Sequence, residues 1–259
     1  MNYSILDPTG NITAIIDGIS DLGSRNLAAA EVMSSEPDVE QAGFLFPGYG
    51  TFDAELLMAG GEFCGNASMS AAAVTAIKEG VAAGKKRKIT LRVSGANDLV
   101  TVDLEAISKT SFKGRVSMPE ALKVSKIALD NVESEIPLVT MPGIVHAIAP
   151  ESLGECWAKQ QLPLLCGKLK AEAMGVMLVS ENWSRITPVV YVPGAGTLVR
   201  EHSCASGTAA VGAYLSAAEG SHIRKSFVEP GGILTVEAWP DSHIYIEGVV
   251  SLVKNGSIL

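Results

Sequence analysis

The sequence predicts an α+β protein made of two similar halves, and three observations carry that prediction. Cys64 and Cys204 stand 140 residues apart, and each opens an alanine-rich stretch after small, polar residues. Both stretches close on Glu-Gly, at Glu79-Gly80 and Glu219-Gly220. Each is then followed by two β-type runs around a turn, so that the order helix, strand, turn, strand occurs twice.

In chain order, Asn11 to Asp17 reads as an early strand, because Ile12, Ala14, Ile15 and Ile16 crowd it with apolar residues. The stretch from Cys64 through Ala71-Ala72-Ala73 to Gly80 is a good helix former with a glycine stop. Lys88–Val93 and Val100–Leu104 flank the turn formers Ser94 to Asp98 and predict a hairpin. A loop near Pro119 to Ser125 marks the join, giving an N-terminal domain over 1–120 and a C-terminal domain over 121–259, whose last strand is free to return to the first domain. Beyond it, Gly175–Val179 and Val189–Val192 read as strands, residues 204–220 as the second helix, and Ser226–Glu229 with Leu234–Ala238 as a hairpin about Pro230-Gly231-Gly232. Helix faces this rich in alanine and glycine predict close packing on curved sheets, with both N-termini brought to one cleft.

Composition narrows the function. With 47% hydrophobic residues, 26 glycines and 19% charged residues, the chain predicts a compact globular protein with many tight turns. A formal net charge of −8 argues against nucleic acid and anionic membranes as partners, and the basic run Lys85 to Lys88 is too short to overturn that. The N-terminus lacks a basic, apolar leader and no stretch reaches membrane-spanning length, so a cytoplasmic protein is expected. The four cysteines are then expected as free thiols. His146, His202, His222 and His243 are scattered without ligand spacing, and no phosphate loop or dinucleotide fingerprint occurs, so no metal or cofactor site is expected.

The matched cysteines are the main chemical signal. A helix N-terminus lowers a thiol pKa and offers free N–H groups to an anion, which suits an acid/base pair acting on a carboxylate substrate. One cysteine alone reads best as a small core residue, whereas two in matched contexts point to function. Cys156 and Cys166, among Leu153, Trp157, Leu162, Leu164 and Leu165, are expected in the core. Glu62 and Glu201, shortly before the two cysteines, would tune the thiols or orient a substrate amine, or simply be solvated carboxylates. Asn11 could equally serve a turn after Gly10, and Asn66 a helix cap.

These residues resemble the diaminopimelate epimerase and proline racemase superfamily of cofactor-independent racemases over most of the chain. Gly10-Asn11 through Asp17 is similar to the epimerases' opening segment, Cys64-Gly65-Asn66 matches their Cys-Gly-Asn core, and Cys204-Ala205-Ser206-Gly207-Thr208 is similar to their second cysteine box. The resemblance implies two pseudo-symmetric diaminopimelate-epimerase-like domains, each a β-sheet wrapped around a central helix. It also implies catalysis by Cys64 and Cys204 without pyridoxal phosphate. Asn11 and Asn66 would contact the substrate's amino-acid head, the backbone at Gly65 and at Ala205, Ser206, Gly207 and Thr208 would receive its carboxylate, and His146 would line the pocket, with Glu201, His146 or a backbone group as candidate partners of an imidazole.

The Glu-Arg-Gly box expected before the second cysteine is replaced by Val192-Pro193-Gly194-Ala195-Gly196-Thr197, Gly175 stands where an asparagine is expected, and none lies beside His146. Residues 60–67 and 201–207 look closer to histidine racemases that supply D-histidine for metallophore synthesis. A small-molecule amino acid is the expected partner, with assembly left open, a homodimer included. Diaminopimelate epimerisation or racemisation of another amino acid is the nearest alternative. A non-catalytic amino-acid binder or a thiol-redox module is the alternative of another class.

Overall fold

The computed structural model describes residues 1–18, 21–129, 132, 134–241 and 243–258, and the chain divides into two compact units, Met1–Ser117 with Glu247–Leu259, and Met118–Ile246. The first unit contains β1 (Asn2–Pro8), β2 (Thr13–Asp17), α1 (Leu22–Ser35), β3 (Gln41–Pro47), β4 (Ala54–Met58), α2 (Gly65–Lys78), β5 (Lys86–Val93), β6 (Val100–Ala106) and β7 (Ser111–Met118). The C-terminal strand β16 (Ile244–Ser257) runs into it. These strands hydrogen-bond in the order β1 to β7 and then β16, and β16 pairs back onto β1, which closes an eight-stranded barrel.

The pairs β2–β3 and β4–β5 are parallel, so each needs a crossover, supplied by α1 and α2. The two helices have different surroundings. α1 lays Ala28, Ala29 and Val32 against Ile16 and Phe44 on one side of the sheet. α2 packs on β1 through β6 and is buried at every residue from Gly65 to Val74, so it is the enclosed helix of this unit. Its residues there are small apart from Met69 and Val74, which lets the strands approach its backbone.

The second unit holds β8 (Lys123–Ile127), β9 (Ile136–Met141), β10 (Ile144–Pro150), α3 (Gly154–Leu169), β11 (Met174–Val179), β12 (Ile186–Val192), β13 (Thr197–Arg200), α4 (Ala205–Glu219), β14 (Ile223–Glu229) and β15 (Gly232–Ala238). Strands β8 to β13 form one six-stranded sheet in sequential spatial order. Its single parallel pair, β10–β11, is bridged by α3, whose Ala158, Leu162, Leu165 and Cys166 join Val176, Leu178 and Val189 in one apolar cluster. α4 packs on β9 and β11 of the sheet and also on the β14–β15 hairpin. Arg185 and Val228 form a bridge between the approach to β12 and β14, and the Val228 N–H donates to Ser184 O at 2.9 Å.

Both expected central helices and both expected hairpins are present. The expectation that Cys156 packs in the core is corrected, because its side chain is exposed while Cys166 is buried. Cys156 lies two residues before the buried Ala158, about 200° around the helix from it, so neighbouring leucines in sequence are not neighbours in space.

Two glycines on α4 mark where its backbone meets the strands. A Cβ at Gly212 would lie 2.3 Å from Val236 Cγ2, and one at Gly207 would lie 2.1 Å from Met177 Sδ. Gly212→Ala should therefore lower stability. Overpacking costs about 1–3 kcal/mol against a gain in helix propensity of about 1 kcal/mol, and urea denaturation should show the midpoint falling with an unchanged m value.

Candidate active site

Each of the two cysteines is the residue immediately before an enclosed helix. Cys64 has φ −135° and ψ 117°, and Cys204 has φ −137° and ψ 98°, an extended conformation suited to an N-cap. In both, the first helical bond is the same, from Ser68 N–H to Cys64 O and from Thr208 N–H to Cys204 O, each at 2.9 Å. The repeat seen in sequence is thus a repeat of backbone geometry.

In the first unit, the Ala67 N–H donates to Cys64 Sγ at 3.4 Å, so the thiol sulfur caps its own helix. The Ser68 hydroxyl returns to Cys64 O at 2.7 Å. Gly65 and Asn66 form the buried first turn. The approach to Cys64 is braced by the turn after β5: Ser94 Oγ accepts from Met58 N–H at 2.9 Å and donates to Glu62 O at 3.0 Å. Gly95, at φ +73°, lies so close that a Cβ would sit 2.3 Å from Phe63 N. Glu62 itself is exposed, its carboxylate folded over Gly60. Asn11 is buried and engaged at both ends of its amide, donating to Glu40 Oε2 at 2.8 Å and accepting from Gln41 Nε2.

In the second unit, Cys204 is buried, and its Sγ lies 3.5 Å from Ser206 Oγ. Ser206 Oγ is in turn 3.1 Å from Nε2 of His146, which is fully buried on β10. The structure therefore brings together Cys204, the half-buried Ser206 and the fully buried His146 as a polar chain. Gly175, opposite His146 in the β10–β11 register, makes room for it, since a Cβ there would lie 2.5 Å from His146 Nδ1. Ala205, Gly207 and Thr208 complete the buried first turn of α4. Glu201 sits on the approach to that turn, its N–H donating to Pro188 O at 3.1 Å.

Glu229 is the residue that sequence reading missed. It ends β14 with only 3% of its surface exposed, accepts the Cys204 N–H at 2.8 Å on Oε2, and accepts the Thr208 hydroxyl on Oε1. Burial pushes its carboxyl up to about 8, against the pull of the Thr208 and Cys204 donors, and the charge of Glu201 adds to the rise. A signal was present. Strand alternation places Glu229 on the same face as the buried Ile223 and Phe227, an unusual position for a carboxylate.

The expected lowering of the thiol pKa by a helix N-terminus is corrected for Cys204. Burial pushes this thiol well above its ordinary value, and the charge of Glu201 pushes the same way. The Ser206 hydroxyl opposes them, the Glu229 charge reinforces them, and the Gly207 N–H opposes. Desolvation outweighs the helix-end field, so Cys204 rests as a thiol at neutral pH.

A model of the family described as histidine racemase CntK N-terminal domain matches residues 1–259. This chain belongs to that family. The histidine racemase of Fusobacterium nucleatum is 32% identical over 266 residues, spanning all of this chain and 96% of its relative. A predicted epimerase of Pseudomonas aeruginosa has the same fold, with a TM-score of 0.76 at 17% identity and coverage of 100% and 99%. A probable proline racemase of Agrobacterium radiobacter does too, at a TM-score of 0.72, 13% identity and coverage of 100% and 92%. This chain thus shares its fold with both of these structures. Among the described residues, no cluster of histidine, cysteine or acidic side chains is arranged to hold a metal ion, and no helix is long and apolar enough to cross a membrane.

Burial holds His146 neutral, with its pKa lowered to about 3. Its contribution to stability is therefore complete above the unfolded value of about 6.5 and is lost as pH falls from there toward 3. Urea midpoints measured across that range should decline with acid, and His146→Leu, which cannot titrate, should flatten this part of the decline.

Proposed function

We propose that the chain interconverts L- and D-histidine without a cofactor, with Cys64 and Cys204 as the acid/base pair. The observation that carries this reading is the matched placement of the two thiols, one N-cap per unit with similar backbone geometry, in a chain that the histidine racemase family model matches over residues 1–259. Inversion at Cα requires a base to take the α-proton from one face and an acid to return a proton to the other. Cys204, resting as a thiol, serves as the acid in one direction while Cys64 serves as the base, and the roles exchange in reverse. The first-turn N–H groups hold the substrate carboxylate and stabilise the charge that builds on it as the α-proton leaves. In this scheme they take the place that pyridoxal phosphate fills elsewhere.

We further read the two units as copies of one diaminopimelate-epimerase-like plan, each a sheet wrapped around a central helix, with a boundary near residue 120. The two enclosed helices, α2 and α4, support that reading. Asn11 and Asn66 would serve the substrate head, and the backbone at Gly65 and at Ala205 to Thr208 its carboxylate. Glu201 and the Ser206–His146 pair are the groups proposed to receive the imidazole. A distal charged amino-acid head finds no Glu-Arg-Gly box here, and leaving such a group unpaired in a closed site costs several kcal/mol. Histidine is therefore favoured over diaminopimelate, with D-histidine for metallophore synthesis as the proposed product and the cytoplasm as the setting.

Reduced protein incubated with L-histidine in deuterated water should incorporate deuterium at Cα and yield the D-enantiomer. Parallel reactions with L,L-diaminopimelate and proline should turn over far more slowly, and a clear preference for either would defeat the substrate assignment. Cys64→Ser and Cys204→Ser should each reduce kcat by at least about 100-fold, the usual weight of an acid or base, with thermal unfolding little changed. Cys156→Ser, at an exposed position, should leave turnover near the parent level.

A further inference from the structure

The two cysteine sites share a backbone geometry but differ behind the helix start. In the first unit, the hydroxyl four residues after the cysteine belongs to Ser68 and returns to Cys64 O. In the second, the corresponding hydroxyl belongs to Thr208 and donates away from the helix, to the Glu229 carboxyl. The other oxygen of the same carboxyl receives the N–H of Cys204 itself at 2.8 Å. A buried carboxyl thus grips the reactive residue and the next turn of its helix at once, and it does so from β14, 25 residues along the chain.

We infer that Glu229 is a positioning residue for the second thiol: it fixes the Cys204 backbone and puts a titratable charge behind it, so that the protonation of Glu229 governs how readily Cys204 ionises. This rests on the two-thiol reading of the site. A carboxylate this close disfavours a thiolate, whereas a protonated carboxyl does not, and the shared burial leaves little water to screen the pair. The other titratable groups facing them are Glu201, on the approach to α4, whose charge opposes ionisation of both, and His146, which is joined through Ser206 and held neutral.

Glu229 shares its raised ionisation with the thiol it holds, so the second site responds to pH as a pair. Between about pH 7 and 9 the Glu229 proton is progressively lost. Each loss makes it harder for Cys204 to give up its own proton, and so weakens it as an acid toward the substrate. Glu229 bonds Cys204 and Thr208, so the effect is read at the Cys204 thiol.

The test is a titration of both thiols in protein labelled with carbon-13 at the cysteine Cβ, whose chemical shift reports ionisation, with resonances assigned by single Cys→Ala substitutions. Glu229→Gln keeps a carbonyl oxygen for the Cys204 N–H and removes the charge. It should lower the Cys204 midpoint by about one pH unit and leave that of Cys64 in place, and Glu229→Asp should bring the midpoint back toward the parent value. Thr208→Val, which removes a donor that favours the charged carboxyl, should move the Cys204 midpoint the same way and serves where Glu229→Gln does not fold. A folded variant whose Cys204 midpoint stays put, or whose Cys64 midpoint moves as far, would overturn the inference. Because this readout needs no turnover, a correct shift in a protein inactive on histidine would sink the functional reading alone.

Discussion

The structure depends on strands lying almost directly on the backbones of α2 and α4. That closeness excludes large side chains from most of both helices, which explains the runs of alanine, serine and glycine, and it leaves no space at Gly207 and Gly212 for even a methyl group. Burial of so much helix backbone among strands contributes apolar contact from every side. It also fixes where each helix begins. The N-cap is held from around as well as below, so the surroundings help to set the backbone conformation of the cysteine there.

Packing of this kind sets the chemistry of the site in opposite senses. The helix N-terminus offers donors to an anion, which favours a thiolate. The burial that creates the N-terminus also strips water from the thiol, and for Cys204 the second effect wins. Under the proposed two-thiol reading, this outcome supplies the member of the pair that begins with its proton. Glu201 and Glu229 strengthen that bias, while the Ser206 hydroxyl and the Gly207 N–H favour the thiolate and oppose it.

The helices, their capping cysteines and the hairpins behind them were legible because each is written in a short window: small residues, a helix stop, alternating β-branched residues. The partners of those windows were not. Glu229 acquires its role only when β14 comes alongside the start of α4, and His146 only when Gly175 on the neighbouring strand makes room for its ring. Cys156 was misplaced because a leucine-rich window says little about which side of an amphipathic helix a residue occupies. The sign of the Cys204 shift was misjudged for the same reason, since the helix end is a local property and desolvation is not. The turn reading of Asn11 came from its neighbour Gly10, whereas its hydrogen-bond partners come from Glu40 and Gln41.

The closure of the first barrel by β16 has a consequence for biosynthesis. β1 finds one neighbour, β2, within a few residues, but its other neighbour is more than 240 residues away, with Asn2 opposite Ser257 and Pro8 opposite Val250. A ribosome delivers the strands of this barrel in order and withholds the last until nearly all of the second unit has emerged. Until then β1 and β7 present open edges, the state most prone to pairing with the wrong chain. The unit begun first therefore cannot close until most of the second has been made, and the stretch around Cys64 waits for a strand that lies far along the chain.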